Sequence, residues 1–175
     1  MVNLATTTKR MISIAVSTLF FCLGTACAVS FAQGVESIPS YVTTPAQLSQ
    51  WLTADFKYET EMPDYWQPAE ETIDLKKGDC EDFAILAQAA LEQLNIPSQI
   101  VVINFKDLPN QAHAVCVFKT GDFYNFITNQ QLIQTNASTI SAAIQGQYPD
   151  WEKITFTNAK KENLRKEFNT AGLSK

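Results

Sequence analysis

Residues 76–94 read KKGDCEDFAILAQAALEQL, and the fold is decided by how that run is read. Phe83, Leu86, Ala87, Ala90, Leu91 and Leu94 recur at helical spacing and form one apolar face. Asp79 stands where an N-cap belongs, and Glu81 and Asp82 fall in the first turn, where the positive end of the helix favours carboxylates. Asn95 and Pro97 close the helix. Cys80 then takes the first helical position. The helix end stabilises a thiolate there, while three adjacent acids oppose it. A cationic partner would settle that contest in favour of a thiol more acidic than its usual 8.5.

Outward from the helix, three strand candidates follow on the C-terminal side. They are Gln99–Phe105, Ala112–Phe118 and Phe123–Thr128, the last two joined by Lys119-Thr120-Gly121-Asp122 as a hairpin turn. A helix around Ser138–Ile144, a strand near Lys153–Phe156 and a charged helix KKENLRKEF complete the chain. On the N-terminal side, Thr44-Pro45 begins a short helix with Leu48, Trp51 and Leu52 on one face. Residues 54–75 are irregular and aromatic, with a second short helix after Pro68. Helices followed by an antiparallel meander predict an α+β fold.

His113 is the sole histidine of 175 residues and falls on the central predicted strand. A thiolate–imidazolium pair with Cys80 would outweigh solvated acids and activate the sulfur as a nucleophile. Separately, each residue has a plainer reading: a satisfied strand histidine and a core cysteine. Strand side chains alternate, so His113, Val115 and Val117 share one face while Ala114, Cys116 and Phe118 share the other. With His113 turned toward Cys80, Cys116 points away, and a Cys80–Cys116 disulfide excludes the catalytic pair. In an exported protein that disulfide is the competing expectation.

Three segments lie in order along the chain: Asp64-Tyr65-Trp66-Gln67-Pro68-Ala69-Glu70-Glu71, Gly78-Asp79-Cys80-Glu81-Asp82-Phe83-Ala84 and His113-Ala114-Val115. Together they resemble the transglutaminase-like superfamily, and within it the bacterial transglutaminase-like cysteine proteinases. The resemblance covers roughly residues 42–135. It implies a papain-like α+β fold with the catalytic-cysteine helix packed on an antiparallel sheet. It also implies Cys80 as nucleophile and His113 as general base. The family's third member is an Asp or Asn on the next strand, which orients the imidazole. No LDPT- or LDN-like segment occurs here; Phe126-Ile127-Thr128-Asn129 occupies the region, and Asn129 fits best by spacing, ahead of Asn125 and Asp122. The Cys80 backbone N–H, with Trp66 or Gln67, would stabilise an oxyanion. Trp66 reads equally well as an aromatic packed over the site. In adhesin-cleaving periplasmic members, acids equivalent to Asp79 and Glu81 help bind calcium, an ion suited to hard oxygen ligands. Helix capping is the simpler role for Asp79, and no cofactor is otherwise expected.

The remaining features bound the setting. Lys9 and Arg10 precede an uncharged apolar run ending Ser30-Phe31-Ala32, the pattern of a cleaved export signal over residues 1–32. Two rival readings are lipidation at Cys27 and membrane anchoring through residues 11–32. Residues 33–43 are then a leader, 44–160 the transglutaminase-like domain and 161–175 a charged tail. Beyond Ala32 the chain has 11 basic and 18 acidic residues, which argues against nucleic acid as a partner. The resulting expectation is a periplasmic or secreted thiol enzyme that acts on a protein or peptide, by amide hydrolysis rather than cross-linking. A non-catalytic binding module for protein or cell-wall ligands is the alternative.

Overall fold

The computed structural model describes residues 37–60 and 65–157. The expected signal, the lipidation site at Cys27 and the charged C-terminal tail lie outside the described residues. The elements are α1 (Pro45–Asp55), β1 (Lys57–Tyr58), α2 (Ala69–Leu75), β2 (Lys77–Gly78), α3 (Cys80–Gln93), β3 (Ser98–Phe105), β4 (Leu108–Thr120), β5 (Phe123–Thr128), β6 (Gln131–Ile133), α4 (Ile140–Gln147) and β7 (Trp151–Thr157). Thr44 caps α1 by accepting the Gln47 N–H at 3.2 Å, with Pro45 in the first turn. Asn95 ends α3 at φ 57°, a left-handed conformation that asparagine tolerates.

The main sheet has the order β6-β5-β4-β3-β7, antiparallel throughout. Strands β3 to β6 form the expected meander, and β7 returns along β3. Gly121, at φ 59°, makes the β4–β5 turn, with Thr120 paired to Phe123. Two pairings arise where the sequence predicts no strand. Strand β1 pairs with β2 in parallel over two residues each, and β6 extends the meander by three. Strands this short carry no periodic signal.

The sheet separates two apolar layers. On one side α1, α2 and α3 pack over Ile100, Ala114, Cys116, Phe118 and Ile127. On the other, Ala143 and Ile144 of α4 pack over Val101, Ile103, Val115, Val117 and Phe126. Alternation along β4 therefore holds, but the expected facing is reversed: His113, packed on Tyr148, shares the α4 side with Val115 and Val117. Cys116 lies under the cysteine helix, on the same side as Cys80's element. The reason is that α3 lays its apolar face on that layer, while Cys80 at its start meets the strand at Ala114. Both cysteines are free, which removes the expected disulfide alternative.

Candidate active site

The site is built at the mouth of α3. Asp82, fully buried, accepts the Gln67 N–H at 2.7 Å and the Asp79 N–H at 3.1 Å. These charge-assisted bonds fix the N-terminus of α3 to the segment before α2. Gly78 is required by the same carboxylate. A Cβ at that position would sit 2.6 Å from Asp82 Oδ2 and 2.7 Å from its Cβ. The Gly-Asp-Cys-Glu-Asp run is thus one packed unit: glycine clears space for Asp82, Asp82 anchors the turn, and Cys80 is presented at its first position.

Cys80 is partly buried, and its thiol donates to Glu81 Oε2 at 3.1 Å. Burial is the main reason its pKa is pushed up to about 12; a backbone hydrogen bond from Ala114 favours the thiolate, and Glu81 and Asp79 oppose it. The expected acidic thiol is therefore corrected for this state. The helix end and the hydrogen bond from β4 are outweighed by burial and two carboxylates, with the thiol proton engaged by Glu81. Ala114 is the neighbour of His113 in the chain, so the sulfur touches the strand one residue from the histidine.

His113 Nε2 lies 2.8 Å from Thr128 Oγ1, and Thr128 Oγ1 lies 2.8 Å from the Tyr148 hydroxyl. The Tyr148 ring is tilted against the imidazole with centroids 5.4 Å apart. Burial lowers the pKa of His113, an effect opposed by the field of Asp79. The ring is therefore neutral at pH 7 with Nε2 engaged, which leaves Nδ1 for other chemistry.

The predicted third member, Asn129, stands one residue past the group that meets the imidazole. Asn129 has φ 49° in the two-residue turn between β5 and β6, and its Oδ1 is buried without a hydrogen-bond partner. Asn125 is occupied elsewhere, its Oδ1 accepting the Thr135 N–H at 2.9 Å, and Asp122 is exposed in the β4–β5 turn. The signal for Thr128 was strand parity. Thr128 pairs with Val115, which shares the face of His113, while residues of opposite parity face α3. Gln67 is buried with its backbone N–H committed to Asp82, so an oxyanion donor there has to be the side chain. Trp66 is partly buried against the α3 layer, in accord with a packing role.

A cleft of about 550 Å³ opens beside these groups, lined in part by Tyr58, Gln111, His113, Thr128, Asn129 and Tyr148. None of its described lining residues is Asp, Glu, Lys or Arg. Tyr58 stacks on Phe83, centroids 6.5 Å apart. Burial raises its pKa, as do the charges of Cys80, Asp79 and Glu81, which places it at the same corner. Sequence reading missed Tyr58, Thr128 and Tyr148. The ligand atoms of Asp79, Cys80 and Glu81 lie within 4.8 Å of one another, and Asp79 Oδ1 is buried without a hydrogen-bond partner. The two carboxylates of that set are hard donors that suit a cation such as calcium, whereas the sulfur does not.

Comparison with solved structures gives similar folds. Legionella pneumophila LapG is 22% identical, covering 78% of each chain with a TM-score of 0.50. Its calcium-bound form is 26% identical over 71% of this chain and 68% of that one, with a TM-score of 0.47. A candidate cysteine protease from Cytophaga hutchinsonii is 19% identical over 65% of this chain and 41% of that one, TM-score 0.43. No curated protein matches. The family model of the transglutaminase-like superfamily matches residues 29–129, a span that includes Cys80, His113 and Thr128. The chain belongs to the transglutaminase-like superfamily.

Proposed function

We propose that the protein is an exported thiol hydrolase that cleaves peptide or amide bonds by acyl transfer through Cys80 and His113. The observation that carries this reading is the Cys80 sulfur at the first position of α3, hydrogen-bonded to the backbone of Ala114 beside His113. The cleft of about 550 Å³ that His113 lines gives a substrate chain room to approach. His113 Nδ1 takes the thiol proton as the sulfur attacks the carbonyl carbon. The resulting oxyanion is stabilised by the Cys80 backbone N–H, one of the unpaired donors at the start of α3. The imidazolium then protonates the amine as it leaves, and water hydrolyses the thioester with His113 again as base.

The resting thiol is protonated, so the carboxylates beside it matter. A calcium ion held by Asp79 and Glu81 would offset the negative field that opposes the thiolate. Export rests on the sequence of residues 1–32, and a protein or peptide substrate is the reading that this chemistry supports. A second reading, a binding module without turnover, draws support from the protonated thiol and from a neutral hydroxyl rather than a carboxylate at His113.

Incubation with p-nitrophenyl acetate separates the two. A hydrolase releases nitrophenol in a burst and carries an acetyl group on Cys80, detected by peptide mass spectrometry. The burst is lost in Cys80→Ala and strongly slowed in His113→Ala. Acetylation of surface lysines alone, with no modified Cys80, supports the binding module.

A further inference from the structure

We propose that Thr128 and Tyr148 are positioning residues that together do the work a carboxylate would do, setting which nitrogen of His113 carries the proton. The proposal rests on the hydrolase reading for its consequence, but its geometry is independent of it. Three elements converge on the imidazole: His113 from β4, Thr128 from the end of β5 and Tyr148 from the C-cap of α4. The contacts Nε2···Oγ1 and Oγ1···Oη are both 2.8 Å. Thr128 is 8% exposed. Tyr148 is wedged against Phe105, His113 and Phe126, with centroids at 6.1, 5.4 and 6.3 Å. Its backbone N–H is tied to Ile144 O at 2.7 Å.

A carboxylate can only accept, so it forces the proton onto the ring nitrogen facing it. A threonine hydroxyl carries one proton and accepts as well, and alone leaves both tautomers open. Tyr148 offers Thr128 an acceptor for its proton, and the direction of the Thr128–Tyr148 bond decides the tautomer. When Thr128 donates its proton to the tyrosine oxygen, only its lone pairs face His113, and Nε2–H donates to them. Nδ1 is then an unprotonated base. The tyrosine O–H is then free to turn toward the cleft that Tyr148 lines. In the reverse direction Tyr148 donates to Thr128, Thr128 donates to Nε2, and the proton sits on Nδ1. In that arrangement Nδ1 cannot remove a proton from Cys80. The relay differs from a carboxylate in one respect: it supplies orientation without charge and does not stabilise the imidazolium.

Because the chain has one histidine, nitrogen NMR of the uniformly labelled, untagged protein reads this ring without assignment. The parent is expected to show a protonated Nε2 and an unprotonated Nδ1. Tyr148→Phe and Thr128→Val should each give mixed tautomers, and Thr128→Ser should keep the parent pattern. Thr128→Asp should restore a single tautomer and shift the imidazole titration to higher pH. Iodoacetamide labelling of Cys80 should fall about tenfold or more in Thr128→Val, within the range of positioned base catalysis. A parent protonated on Nδ1, or an unaltered single tautomer in both Thr128→Val and Tyr148→Phe, overturns the proposal. Thermal midpoints exclude unfolding as the cause, and the parent spectrum is decisive without any variant. Should His113→Ala label as fast as the parent, the Cys80–His113 reading fails while the tautomer result stands by itself.

Discussion

Cys80 and Cys116 are both free thiols, and burial pushes both up to about 12. Their surroundings nevertheless have little in common. Cys116 is fully buried between α3 and the centre of the sheet, where it fills space. Cys80 stands at a helix mouth with Glu81 on its proton, Ala114 on its sulfur and a cleft nearby. The pKa of Cys116 is high because burial outweighs the one hydrogen bond from Ser98 that favours the thiolate. For Cys80 two carboxylates add to the effect of burial, and their charges can be neutralised. Acidity in the resting state therefore does not identify the reactive cysteine; what identifies it is whether the opposing terms are removable.

The strongest way to break this comparison is to exchange the losses. Cys80→Ala should abolish acyl transfer, a fall on the order of 10⁴-fold or more, while Cys116→Ala keeps the nitrophenol burst. A burst that survives in Cys80→Ala contradicts the assignment. Asp82→Ala should be the largest structural perturbation at the site. It removes two charge-assisted hydrogen bonds at the start of α3 and should cost about 3–5 kcal/mol in urea unfolding. Cys80 should then lose its distinction from an ordinary surface thiol, whereas Cys116 stays sealed.

Much of this arrangement is legible in the sequence because it is local. The N-cap, acidic first turn and apolar stripe of α3 lie within sixteen residues, and the β4–β5 hairpin is announced by Gly121. The facing of Cys116 was not legible, since alternation gives two faces and cannot say which one α3 covers. Thr128 escaped because a hydroxyl carries no charge signature, and its parity becomes useful only with the hairpin register. Tyr148 lies in a segment with no motif and reaches His113 only through the packing of α4 on the sheet. The thiol's protonation depends on burial and on one Glu81 rotamer, neither of which spacing encodes.

A smaller effect sharpens the electrostatic side of the comparison. Asp79→Asn combined with Glu81→Gln removes two carboxylates that oppose the thiolate. Cys80 labelling at pH 8 should rise several-fold, with Cys116 unchanged. Calcium should raise parent labelling in the same direction and have no effect on the double variant. Equal calcium responses in parent and variant would separate these acids from any cation site. The smallest effect is on Cys116 itself. Cys116→Ala should cost about 1 kcal/mol of stability and leave the Cys80 labelling rate within error.

The most direct test of the central claim is the pH profile of Cys80 carboxymethylation in the parent and in His113→Ala. His113 has a lowered pKa, so it is a neutral base at pH 7 and becomes protonated only as pH falls below the usual histidine range near 6.5. The parent should therefore label at least about tenfold faster than the variant between pH 6.5 and 8. That advantage should vanish as the pH is taken well below 6 and the imidazole loses its basic lone pair. Superimposable profiles for parent and His113→Ala would show that the histidine does not act on the thiol, and the proposed site would be refuted.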